Sequence, residues 1–182
     1  MKKLFVASLA VVLVAGCISI SNPFLHGKPD YTKLPADSLN AVALEIEQAV
    51  QEGNREPAVK DRDGIVVSSE PIVQAVRMRA ARVELLNEFL DSGFGREDKN
   101  GLVKIMGSKE YTKATSGRER NRNAMLVLNE NNDRWTIYEG IVKVSKIRGA
   151  TATIQDAFHQ ARVAVMKPGQ KYQDAEGNTA VK

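Results

Sequence analysis

Residues 124–144, "AMLVLNENNDRWTIYEGIVKV", decide how this chain is read. Ala124, Leu128, Asn131, Trp135, Tyr138 and Val142 fall on alternating steps of four and three. That spacing predicts an α-helix with a seam able to pack along a neighbour. Ile137, Ile141 and Val144 form a flanking apolar stripe, so one helix offers two. A small core needs only one of them, and the second is expected at the surface as a helix-in-groove contact for a partner. The helix should run over about 117–147, with Gly149 ending it. At its start "RERNR" reads as a solvated face whose positive charge opposes the helix dipole, which predicts a frayed first turn.

Working outward, the flanking segments are helical too. Over 35–52, Leu39, Val42, Ala43, Ile46 and Val50 recur at helical spacing, with Pro35 at the start and Gly53 as the stop. "GNREPAVKDRDG" is a connector. A second helix is predicted behind Ser69, with Pro71 in its first turn and its end before Gly93. Ile72, Val76, Ala80, Val83, Leu86 and Leu90 make one stripe on it, and Met78, Leu85 and Phe89 a second, so it is expected to pack on two sides. Arg79 and Arg82 lie between those stripes. Their stems can lie on apolar surface with the guanidinium groups at the rim or paired to carboxylates; an anion site is the alternative. Residues 92–111 read as a loop with at most one short strand. Gly93 and Gly95 lack the third glycine of a phosphate loop and no strand precedes them. Thr153 and Asp156 resemble a capping box for the last helix, whose stripe is Ile154, Phe158, Ala161 and Val165. After Pro168-Gly169, two short extended pieces around Gly177-Asn178 suggest a hairpin. The expected fold is mainly α: a small domain of about four helices with a short C-terminal β-hairpin.

The other informative end is "LVAGC", residues 13–17. Lys2 and Lys3 precede the apolar run Leu4 to Val14, which is short for a bilayer span and reads as a secretory signal. Val14-Ala15-Gly16-Cys17 resembles a bacterial lipobox. Cleavage is then expected between Gly16 and Cys17, and lipidation on the Cys17 thiol. Residues 1–16 are the predicted signal peptide, 17–33 a lipidated tether rich in Pro, Gly, Asn and Ser, and 34–182 a periplasmic domain. Ile18 and Ser19 follow the cysteine where an aspartate would mark inner-membrane retention. The expected location is the periplasmic face of the outer membrane, held by acyl chains.

The chain of 182 residues carries one cysteine, which excludes a disulfide framework and a cysteine metal site from the mature protein. The net charge of +4 includes Lys2 and Lys3, so the mature chain is nearer +2. With no aromatic-interleaved basic stripe, no nucleic-acid partner is expected. No cofactor and no metal are expected either: His26 lies in the tether and His159, three residues after Asp156, reads as a surface residue without companions. Serine hydrolysis lacks a nucleophile elbow. Glycosidase chemistry needs only two placed acids, and Glu130, Asp133 and Glu139 flank Trp135 and Tyr138, which could stack on a sugar. The competing reading pairs those acids locally and puts the aromatics in the core.

Two segments also resemble a known family. In "ENNDRWTIYEGIVK", Glu130, Asn131, Arg134, Tyr138 and Ile141, and in "KPGQKYQDAEGN", Pro168, Gly169, Tyr172, Gln173 and Gly177, match in order and spacing the uncharacterised periplasmic YdbL-like family, over residues 118–182. Thr179 stands where that family commonly has tryptophan. The resemblance implies an envelope accessory protein, linked in some members to AsmA-like machinery that maintains outer-membrane lipids. The expected function is therefore a membrane-anchored, non-enzymatic binding protein whose partner is another envelope protein. A lipoprotein that binds or cleaves cell-wall glycan is the alternative.

Overall fold

A computed structural model describes residues 34–182; Gly16, Cys17, His26 and the signal and tether segments lie outside the described residues. Residues 117–144 form one helix of 28 residues, α4 (Gly117–Val144). Its first turn is closed by a capping box. The Glu119 amide donates to Ser116 Oγ at 3.2 Å, and the Ser116 amide donates to the Glu119 carboxylate at 2.7 Å. The fraying expected from "RERNR" is thereby corrected, because Glu119 puts a negative charge where the helix dipole needs one. Among the described residues, four further helices accompany α4: α1 (Ala36–Gln51), α2 (Glu70–Asp91), α3 (Lys109–Ala114) and α5 (Thr151–Val165). The protein is mainly α, as the periodicity predicts.

Of the predicted seam, α4 fully buries only Tyr138, and the row beside it takes the core. Asn123, Val127, Glu130, Arg134, Ile137 and Ile141 point inward, each one residue before its predicted counterpart. Both rows have the same three-four rhythm. A reading that scores hydrophobicity prefers the row with Leu128 and Trp135, because the true row carries Glu130 and Arg134. Ile137 and Ile141 are consequently fully buried and Val144 is half-buried, so these three do not form the exposed partner stripe expected of them.

Helix α2 lies antiparallel on α4. Gly140 opposes Ile72 near one end, Arg79 reaches Glu130 in the middle, and Glu88 and Arg122 border one cavity near the other. The close approach needs the glycine: a Cβ at 140 would come within 2.7 Å of Ile72 Cγ1. Helices α1 and α5 pair beneath. Leu39, Val42 and Ile46 of α1 meet Ile137 and Ile141 of α4 and Ile154 and Phe158 of α5 in the main core. A smaller core gathers Leu86, Phe89 and Leu90 with Val103, Tyr111 and Val127. Of the predicted second stripe on α2, only Phe89 is buried; Met78 and Leu85 are about half exposed.

Residues 92–111 are more ordered than a loop. They hold strands β1 (Gly95–Glu97) and β2 (Val103–Ile105) and the start of α3. The predicted hairpin is present as β3 (Lys171–Gln173) and β4 (Thr179–Val181), and it joins the other two strands in a sheet of order β2-β1-β3-β4. β1 runs antiparallel to β2 and parallel to β3, with Glu97 opposite Tyr172. Three-residue strands are too short to show a period of two, which is why the sequence hides the first pair. At α5, Thr153 is not a cap. The helix starts at Thr151, and Asp156 accepts from Gln160 Nε2 instead. Among the described residues, no helix is long and apolar enough to cross a membrane.

Candidate functional site

The most unusual feature of the fold is a set of ionised side chains where apolar ones are ordinary. Glu47 of α1, Arg79 of α2, Glu97 of β1, Glu130 and Arg134 of α4 and Arg162 of α5 are each no more than 2% exposed. Glu130 lies at the centre. Its Oε1 accepts from Arg79 Nε at 2.9 Å and from Arg134 Nε at 2.8 Å, and its Oε2 accepts from Arg82 Nη2 at 3.2 Å. Arg79 turns its other two nitrogens to both oxygens of Glu47, at 2.7 and 2.9 Å. Arg134 does the same to Glu97, at 2.5 and 3.0 Å, and also donates to the Gly101 carbonyl. Arg162 Nε completes Glu97 at 3.1 Å and its Nη1 reaches Gln51 at 2.7 Å. Arg82 extends the chain outward to Asp133 at 2.5 Å.

Three carboxylates and three guanidinium groups balance in charge. That balance is what makes their burial tolerable, since each ion alone would cost several kcal/mol to desolvate. The fork geometry of arginine matches both oxygens of a carboxylate, which a lysine could not do. Burial alone would raise the pKa of Glu97, but Arg134 and Arg162 outweigh it and hold the group at about 2. Glu130 is likewise held below the ordinary glutamate range: burial opposes its charge, and Arg79 and Arg134 overcome that. Tyr138 moves the other way. Burial raises it above the usual phenol value, and its hydroxyl donates to the Gly101 carbonyl at 2.7 Å.

Four residues singled out in the sequence therefore work together. Glu130 and Arg134 are the hub, Tyr138 pins the 98–102 turn, and Asn131 uses both ends of its amide on β2, accepting from Val103 N–H and donating to Val103 C=O at 2.8 and 2.9 Å. The closing motif is architectural as well. Gln173 Nε2 donates to the Gly177 carbonyl at 2.8 Å, Tyr172 pairs beside Glu97, and Gly169 and Gly177 take positive φ on either side of β3, with Pro168 between α5 and that strand. His159 is buried against Gln173, 2.9 Å from its carbonyl, so the expected surface histidine is a packing residue. Of the proposed glycan carboxylates, Glu130 is enclosed, Asp133 is bound by Arg82, and only Glu139 is exposed. Trp135 is half-buried, edge-on to Tyr138.

Glu47, Glu97 and Arg162 were not anticipated. Glu97, between Arg96 and Asp98, carried no signal. For Glu47 and Arg162 the signal was a charged residue inside an apolar stripe, as Glu47 sits between Ile46 and Val50 and Arg162 beside Ala161. Arg79 carries the same signal. Among the described residues, no three His, Cys, Asp or Glu side chains are placed to hold a metal ion. No family model, curated protein or solved structure matches this chain.

A second feature lies on the outer face of α2 and α4. Met78, Leu85, Met125 and Leu128 are each 45–55% exposed. Beside them a cavity of about 250 Å³ opens between α2, α3 and α4, floored by Phe89, Phe94 and Leu126.

Proposed function

We propose that this chain is a lipid-anchored, non-catalytic protein of the bacterial envelope that acts by holding a partner. Cys17 attaches it to the outer membrane, and the outer face of α2 and α4 is its contact surface. The reading is carried by the fate of the acids around Trp135. A glycosidase needs one carboxyl that keeps a proton to give to the leaving oxygen. Glu130 is held ionised behind three arginines and Asp133 is bound to Arg82. Both serve the architecture, as do the other residues of the YdbL-like motifs. The resemblance of residues 118–182 to that family supports a role in envelope maintenance, where the AsmA-like lipid machinery is the natural setting for a partner.

Two measurements test this. Mass spectrometry of the native N-terminus should find Cys17 acylated and first in the chain; Cys17→Ala should leave the protein unprocessed or released from membranes. A mature chain beginning elsewhere refutes the anchor. In cells, Leu85→Glu and Met125→Glu should abolish function with an unchanged melting curve, while Asp133→Asn and Glu139→Gln keep it. The reverse ranking, with one carboxylate indispensable, replaces this reading with glycan cleavage.

A further inference from the structure

The charges around the exposed apolar residues are sorted by helix. On α2, Met78, Ala81, Leu85 and Glu88 follow helical steps of three and four along one exposed line, with Glu84 beside it. On α4, Arg118, Arg122 and Met125 do the same, with Leu128 next to them. Thus the α2 side of the face is acidic and the α4 side is basic apart from Glu119, which borders the same cavity and is taken up by the Ser116 cap. Glu84, Glu88, Arg118 and Arg122 take no part in the ion pairs found among the described residues, although the deeper charges of both helices are all engaged.

We infer that this face is self-complementary and that its occupant is a second copy of the chain. The inference rests on the face being a contact surface, as proposed above, and names what covers it. A two-fold axis running along the α2–α4 groove lays α2 of one copy over α4 of the other. Rotation about an axis parallel to the helices preserves height along them, so residues level across the groove are also level across the axis. Glu88 and Arg122 border the same cavity, as do Leu85 and Leu126. In the dimer, Glu88 of each copy then meets Arg122 of the other, and Leu85 meets Met125, so one opposite-charge pair lies on each side of the axis beside an apolar centre. Such an interface is isologous and closes at two copies. Opposed charges fix its register and disfavour other partners, while Met78, Leu85, Met125 and Leu128 supply the desolvated middle.

The design can be tested by exchanging charge. Full-length protein in mild detergent should sediment as a dimer. Glu88→Arg and Arg122→Glu each place two like-charged pairs in the homodimer and should weaken it by about tenfold or more, the equivalent of about 1.4 kcal/mol. Mixing the two variants in equal amounts should restore a heterodimer, since both of its contacts are again opposite in charge. An effect confined within one copy, including partial unfolding, cannot produce that rescue. A monomeric wild type overturns the second copy, and so does a dimer indifferent to both variants. In either case the Leu85→Glu and Met125→Glu phenotypes still decide whether the face contacts some other protein.

Discussion

Glu130 accepts from three arginines on two helices, and truncating it would leave the Nε of Arg79 and of Arg134 buried and unpaired and the enclosed cluster one positive charge in excess. Glu130→Ala should therefore destabilise the fold by about 3–5 kcal/mol in urea titrations, well above the cost of the side chain's packing. The network also sets a pH limit. The pKa of Glu97 lies at about 2 in the fold against an ordinary 4.5, so its contribution is complete above pH 4.5 and drains away as the pH falls towards 2. At neutral pH that contribution is on the order of 3 kcal/mol by linkage. Glu130 adds in the same direction. Unfolding midpoints measured at pH 7, 4 and 3 should fall in that order, and Glu97→Gln should flatten the dependence. A midpoint that holds steady to pH 3 would show that folding does not lower the pKa of these carboxyls.

At the scale of elements, the helices were legible and their faces only partly so. Pro35, Ser69 with Pro71, and Gly53 and Gly93 mark ends that the structure reproduces within a residue or two, because caps and stops act locally. The rotation of α4 was not legible, since hydrophobic spacing cannot choose a row that contains Glu130 and Arg134 until their partners on α1, α2 and β1 are in place. The burial of Ile137 and Ile141 and the exposure of Met78 and Leu85 follow from the same fact: packing between helices chooses the buried face, and periodicity only restricts the options. Two element-level tests follow. Gly140→Leu should cost about 1–3 kcal/mol by forcing α2 off α4 at Ile72, and a companion Ile72→Ala should recover part of it. Ser116→Ala removes one half of the α4 capping box and should cost about 1 kcal/mol, read from the same titrations.

For the whole molecule, one network joins α1, α2, β1, α4 and α5, so the described domain should unfold in a single transition with no helix lost early. Trp135 rests half-buried on the main core, and Trp135→Ala should lower stability by about 2 kcal/mol, roughly half the cost of a fully buried tryptophan. Melting followed by circular dichroism and by tryptophan fluorescence should coincide. The parallel pairing of β1 with β3 carries a consequence for how the protein is made. A chain leaves the ribosome from its N-terminus, so β1 waits more than seventy residues for its neighbour, and Glu97 waits nearly as long for Arg162. Until Arg162 emerges, the helices before it hold partly satisfied charges that resist early closure. Closure of the charge network is therefore a late event in synthesis, with α5 supplying its final member and the β3–β4 hairpin sealing the edge of β1 after it.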